Sequence, residues 1–214
     1  MGLSTAGVFV KLKNPSEFGI EEVVKELFGD YQEIKSTWED GFDFRNKDNL
    51  IISYHENGIR ILDSELVTQV LEKRLTDVIQ KLYNYFQSPE LMLVYMHYDS
   101  GDSFGFGCIQ DGVMTRFRYS VSTDGITYDY GLPFDEELNI LNGRIYYVEG
   151  EDGDRVYLYN RLDSPDVENA YHFINSDIAN EVMLTKIGFG LDDEYLDDKT
   201  YYVTLKPRWH TPSQ

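Results

Sequence analysis

Residues 91–131, LMLVYMHYDSGDSFGFGCIQDGVMTRFRYSVSTDGITYDYG, leave this chain few choices of fold. Four β-type runs follow one another with short turns between them, the pattern of an antiparallel meander. The run 91–98 is almost wholly apolar, as an interior strand buried on both faces requires. Asp111-Gly112 suits a type I′ turn, whose two central positions need positive φ. A gapless turn there sets Gln110 opposite Val113, Cys108 opposite Thr115, Phe106 opposite Phe117 and Phe104 opposite Tyr119. A second turn at Asp124-Gly125 sets Val121 opposite Tyr128 and Tyr119 opposite Tyr130. This register gathers Phe104, Phe106, Cys108, Phe117, Tyr119, Val121, Tyr128 and Tyr130 on one apolar face that something must cover. Arg116 and Arg118 fall on the other face, beside Gly107 and Gly105 and near Asp129. There they are candidates to hold an anion or a partner's carboxylate, or to pair internally with Asp129.

The rest of the chain supplies the cover. Residues 7–13 alternate as a strand. Ile20, Val23, Val24, Leu27 and Phe28 recur at helical spacing over 17–28, with Gly29 as the stop. A further strand is expected at 31–38. Runs 50–56 and 59–62 flank Asn57-Gly58, a second hairpin signal. Asp63 or Ser64 then caps a long helix to about residue 86, with Val67, Val70, Leu71, Leu75, Val78, Ile79, Leu82 and Phe86 on one stripe. Runs 144–149 and 154–159 form a hairpin around Gly150-Glu151-Asp152-Gly153. In a gapless register Ile145, Tyr147, Val156 and Leu158 share one face, and Arg144, Tyr146, Arg155, Tyr157 and Tyr159 the other, giving an arginine–tyrosine surface. Residues 160–175 read as a loop, 177–187 as a helix and 201–206 as a last strand. No fixed-period repeat or Ser/Pro-rich linker divides the 214 residues, so one α+β domain over 1–214 is expected, with at most a weak subdivision near residue 132.

Charge narrows the function classes. The formal net charge is −19, which opposes binding to nucleic acid backbones and anionic membranes and favours a basic partner. Residues 121–200 carry 19 acidic and 5 basic side chains, whereas residues 1–120 carry 19 and 12. The excess therefore concentrates late in the chain. Its densest parts are Glu149, Glu151, Asp152 and Asp154, and Asp192, Asp193, Asp197 and Asp198. Neither cluster has the spacing of a calcium-binding loop, so both read as solvated acidic segments and no metal is expected. The single Cys108 excludes an internal disulfide and falls on the apolar face. No secretory leader or membrane-length apolar run is read, and a cytoplasmic setting is expected.

Catalytic motifs are sparse. Gly105-Phe106-Gly107 and Gly188-Phe189-Gly190 lack the context of a dinucleotide loop, and no cofactor is expected. His97, with Asp99 and Asp102 after it, is the one place where a histidine and carboxylates meet at a strand end. A general base for hydrolysis could be built there, or merely a polar turn.

Several segments resemble a bacterial family, a domain with no assigned activity. The likeness runs through His97, Ser103-Phe104-Gly105-Phe106, Asp111-Gly112, Arg116, Tyr119-Ser120-Val121-Ser122 and Asp124-Gly125. It continues in Gly131-Leu132-Pro133-Phe134-Asp135-Glu136 and in Ile187-Gly188-Phe189. It differs at Tyr98, where the family has serine, and in the hairpin 144–159. The resemblance implies a fold and no chemistry.

The expectation is an α+β fold, an antiparallel meander packed against a long amphipathic helix, with further hairpins and short helices. The functional expectation is a non-catalytic acidic protein that binds a basic protein, as an immunity protein binds a toxin. The alternative is a small hydrolase using His97, Asp99 and Asp102.

Overall fold

The computed structural model describes residues 4–38, 42, 46–72, 76–98, 103–121, 126–149, 154–170, 174–190 and 199–206, with the side chains of 4, 72, 126 and 127 excepted. Among these residues it is a mixed α/β structure with five α-helices and a large antiparallel sheet. Nine strands compose that sheet: β1 (Ser4–Lys11), β2 (Tyr31–Lys35), β3 (Asn49–His55), β4 (Gly58–Leu62), β5 (Leu91–Tyr98), β6 (Ser103–Gln110), β7 (Val113–Val121), β8 (Ile126–Tyr130) and β12 (Thr200–Leu205). Their order is β2-β12-β3-β4-β1-β5-β6-β7-β8. The meander β5 to β8 thus forms one end, and the last strand inserts between β2 and β3.

The sheet is covered on both faces, which explains why β5 reads as a continuous apolar run. One cover comprises α1 (Ile20–Phe28), α2 (Ser64–Val67), a π turn at Thr68–Glu72 and α3 (Thr76–Tyr85). Val23, Val24, Leu66, Val67, Val70, Ile79 and Leu82 pack there on Val8, Val10, Ile59, Ile61, Val94, Phe117 and Tyr119. Asp63 starts α2 by accepting hydrogen bonds from the amides of Glu65 (2.9 Å) and Leu66 (3.2 Å). Of the segment expected as one helix over 64–86, the described residues form a short α-helix, a π turn at 68–72 and a second α-helix over 76–85.

The other cover holds α4 (Asp135–Leu141) and α5 (Ile174–Ile187). Ile140, Ile178, Val182, Met183 and Ile187 pack there on Phe9, Leu93, Tyr95, Phe106 and Cys108. Beside it lies a second sheet, β11-β10-β9, from β9 (Arg144–Glu149), β10 (Arg155–Asn160) and β11 (Asn169–Ala170).

Four expected pairings are overturned, one of them at β7–β8, where Val121 pairs with Ile126 and Tyr119 with Tyr128 rather than Val121 with Tyr128 and Tyr119 with Tyr130. Asp111 (φ 51°) and Gly112 (φ 72°) form the turn with the positive dihedrals its chemistry demands, and Gln110 pairs with Val113. After Ile109↔Met114, however, the ladder continues with Cys108↔Arg116, so Thr115 is an extra residue in a β-bulge. Its hydroxyl donates to the Cys108 carbonyl at 3.2 Å. Phe106 consequently pairs with Arg118 and not with Phe117. The aromatic face splits: Phe106 and Cys108 face α4 and α5, while Phe117 and Tyr119 face α1 to α3. Arg116 is buried on the Cys108 side, away from Gly107, whose space is taken by Met114 and Leu71. In the β9–β10 hairpin, Arg155↔Glu149 and Tyr157↔Tyr147 are the partners. A connection one residue longer than expected puts Ile145, Tyr147, Tyr157 and Tyr159 on one face, with Tyr146, Val148, Val156 and Leu158 on the other. The 56–57 pair, not Asn57-Gly58, turns the β3–β4 hairpin, because His55 pairs with Gly58.

Deletion of Thr115 tests the bulge. Closing the ladder from Ile109↔Met114 directly to Cys108↔Arg116 preserves every inward side chain. A cooperative unfolding transition should therefore remain, with a loss of about 1–2 kcal/mol for the hydroxyl hydrogen bond and local repacking. In a gapless register the same deletion would reverse the faces of all later β7 residues and abolish the transition.

Candidate functional site

The charged centre of the molecule is the end of the meander facing α4 and α5. Arg116 is 1% exposed and Glu137 0%. Arg116 Nε donates to Glu137 Oε1 at 2.8 Å and Nη2 to Oε2 at 2.5 Å, a two-point fork. Arg116 Nη1 donates to Asp129 Oδ1 and to the Tyr130 carbonyl at 2.8 Å. Glu137 also accepts the Phe134 amide at 2.8 Å, which starts α4 immediately after Leu132-Pro133. Arg118 Nη1 donates to Asp129 Oδ2 at 2.5 Å and Nη2 to Asn175 Oδ1 at 3.0 Å. Asn175 Nδ2 in turn donates to Ser120 Oγ at 3.1 Å. Both candidate anion-binding arginines are thus engaged by the chain's own carboxylates, and the network ties β7 and β8 to α4 and α5.

The electrostatics follow from this geometry. Burial alone would raise the Asp129 carboxyl, but hydrogen bonding and charge from Arg116, then Arg118, hold it below the usual aspartate range. Burial likewise disfavours the Arg116 cation, and Glu137 and Asp129 overcome that, so its guanidinium stays protonated. Burial pushes the Cys108 thiol up, away from the thiolate a nucleophile needs.

A different surface is presented to solvent. Tyr159, at the base of β10, is completely buried against the α5 layer, and its hydroxyl donates to Asp177. Burial and that carboxylate raise the phenol beyond its ordinary range. Arg161 pairs with Glu181 of α5 and with Asp163, while Asn139 Nδ2 of α4 donates to Asp163 Oδ2 at 2.5 Å. The base of the hairpin is therefore fixed to both helices. Its outer half is not covered: Ile145, Tyr147, Val148, Val156 and Tyr157 are 51, 49, 41, 44 and 50% exposed. Arg155 lies over the Tyr147 ring at 4.6 Å and Arg144 over Tyr146 at 5.2 Å, holding the rings in place. Glu149 and Asp154 flank the tip and are exposed.

The remaining sequence candidates are distributed as follows. His97, at the end of β5, is buried with its ring 4.8 Å from that of Phe104. Asp99 and Asp102, which would complete a hydrolytic site, lie outside the described residues, as do Glu151, Asp152, Asp192, Asp193, Asp197 and Asp198. Among the described residues no group of three or more His, Cys, Asp or Glu side chains is arranged to hold a metal. No helix of the described residues is long and apolar enough to cross a membrane. Glu137 was missed in the sequence because the acidic run Asp135-Glu136-Glu137 looks solvated; its signal was Glu three residues after Phe134, the position that caps a helix start. Against family models, curated proteins and solved structures, the chain finds no match.

Two outcomes follow for the arginine network. Replacing Glu137 with Ala leaves Arg116 buried without its main counter-charge, and should cost about 3–5 kcal/mol in urea unfolding, whereas replacing Arg116 and Glu137 together with Met should recover most of it. Asp129 has a folded pKa below its unfolded one, so its contribution is complete above the unfolded value of about 3.9 and fades as pH falls through that value toward the folded one. Asp129→Asn should therefore lower stability at neutral pH and flatten its decline below pH 4, as followed by thermal unfolding across pH.

Proposed function

We propose that this chain is a non-catalytic binding protein, working in the cytoplasm, that captures a basic protein through the β9–β10 hairpin. The class of role is that of a bacterial immunity protein neutralising a toxin. The observation that carries the reading is the outer half of this hairpin. Five apolar or aromatic side chains stand exposed there beside Glu149 and Asp154, on an arm whose base is locked to α4 and α5. Exposed apolar residues grouped on one projecting element, rather than scattered, mark an interaction surface. Tyrosine and arginine are the residue types most often central to such contacts, because they bring large area with little entropy loss.

Charge selects the partner. The hairpin connection Glu149-Gly150-Glu151-Asp152-Gly153-Asp154 contributes four carboxylates within six residues, on a chain of net charge −19. Such a surface speeds encounter with a basic protein and repels acidic ones. The second acidic run, Asp192, Asp193, Asp197 and Asp198, extends the same field in this reading. Arg116, Arg118 and Glu137 serve it by holding the layer that carries the hairpin. The chain acts as one unit over 1–214.

The test replaces Glu149, Glu151, Asp152 and Asp154 with Gln or Asn and compares the variant with the parent chain on a protein of pI above about 9 captured from the host. The parent should associate at a rate that falls steeply with salt, and the variant should associate at least about tenfold more slowly at low salt with a flattened salt dependence. Equal rates and equal salt slopes would contradict this surface.

A further inference from the structure

Among the described residues β9 is the last strand of its sheet, in the order β11-β10-β9, and it pairs with β10 through six consecutive residues without a bulge. Edge strands in soluble proteins are normally guarded by a central lysine, a proline, a bulge or a covering element, because their free amides and carbonyls recruit other strands. The β9 sequence Arg-Ile-Tyr-Tyr-Val-Glu has no lysine or proline in its middle four positions, and its ladder with β10 has no bulge. Apolar side chains are exposed on both of its faces: Ile145 and Tyr147 on one, Val148 on the other, continued by Tyr157 and Val156 of β10. A strand that is merely solvated on both sides has no reason to be apolar on both. A strand that will be extended by another strand does, since the added chain is then flanked by apolar neighbours above and below the sheet.

We propose that β9 receives an extended segment of the basic partner as a fourth strand of this small sheet, which rests on the reading of the hairpin as the contact surface. Main-chain hydrogen bonds to β9 provide affinity, and side chains on the two faces provide selectivity. The geometry specifies the segment. Neighbouring residues along a strand alternate between faces, so the incoming chain needs a run of about four apolar or β-branched residues to match Ile145, Tyr146, Tyr147 and Val148. At the end lying against Glu149 it needs a lysine or arginine. Charge argues against a second copy of this chain as the occupant, because each copy carries a net charge of −19 and would bring its own acidic hairpin tip to the contact.

The probe is a synthetic peptide, Thr-Val-Ile-Val-Lys-Lys, and its counterpart N-methylated at alternate residues on one edge. The two have the same charge and side chains and differ in the ability to form a ladder. The measurement is residue-resolved amide exchange and affinity by NMR on the full chain. The unmodified peptide should slow exchange in β9 and leave β1 and β5 unchanged, and N-methylation should weaken binding at least about tenfold. Val148→Lys, a guarding lysine at an already exposed position, should abolish the β9 protection while the thermal unfolding midpoint stays within a few degrees.

Equal binding by the two peptides, with salt-sensitive association through the acidic tip retained, would remove strand addition and leave the electrostatic contact standing. Absence of β9 protection by the unmodified peptide would overturn the inference. So would a salt-resistant homodimer, seen by sedimentation, that Val148→Lys dissolves, since the edge would then belong to a second copy.

Discussion

The structure depends on a charge that has been taken out of water. Arg116 lies almost wholly buried between the sheet and α4, and it is tolerable there only because Glu137 meets it with both carboxylate oxygens. That requirement fixes more than a pair of side chains. Glu137 must sit where α4 begins, so the chain after Gly131 has to turn back over the sheet. Asp129 must come from β8, so the last strand of the meander is held at its register. Arg118, drawn into the same cluster, reaches Asn175 and so places the start of α5. Hydrophobic contacts of Ile140, Ile178, Val182 and Met183 supply the bulk of this layer's stability, but apolar packing tolerates sliding. The ion cluster gives it one position.

The consequence reaches the solvent-facing hairpin. Tyr159 and Arg161 are anchored to α5 through Asp177 and Glu181, so the direction in which β9 and β10 project is inherited from the layer that Arg116 holds. Burial along β10 runs from exposed Arg155, Val156 and Tyr157 to buried Tyr159 and Asn160. A rigid base with an uncovered apolar end is what a binding arm needs, because little ordering cost then remains to be met on contact. In the proposed reading the carboxylates of the 149–154 connection would add long-range attraction that the apolar faces cannot supply.

Much of the fold was legible because strands, turns and caps are local. The doubly buried character of β5, the positive-φ turn at Asp111-Gly112 and a helix cap at Asp63 or Ser64, which falls on Asp63, each follow from a few neighbouring residues. The bulge at Thr115 was not legible, because Thr115 looks like any outward strand residue and only the distant Glu137 explains why Arg116 must point inward. The β9–β10 register failed for a related reason: a Gly-Glu-Asp-Gly connection accepts one residue more or less at little cost. At the candidate surface the carboxylates and Tyr157 were visible in the sequence, but the exposure of Tyr147 was not. Tyrosine in a strand packs inward as readily as outward, and the choice here is set by where the anchored base leaves the hairpin.

The most direct test of the binding account is zero-length carbodiimide cross-linking of the chain to its captured basic partner, followed by mass spectrometry. The chemistry joins a carboxylate to an amine only when they are in contact. Cross-links from partner lysines should concentrate on Glu149, Glu151, Asp152 and Asp154. Cross-links confined to carboxylates on the far face, such as Glu21, Glu22 and Glu26 of α1, with none at the hairpin tip, would contradict it.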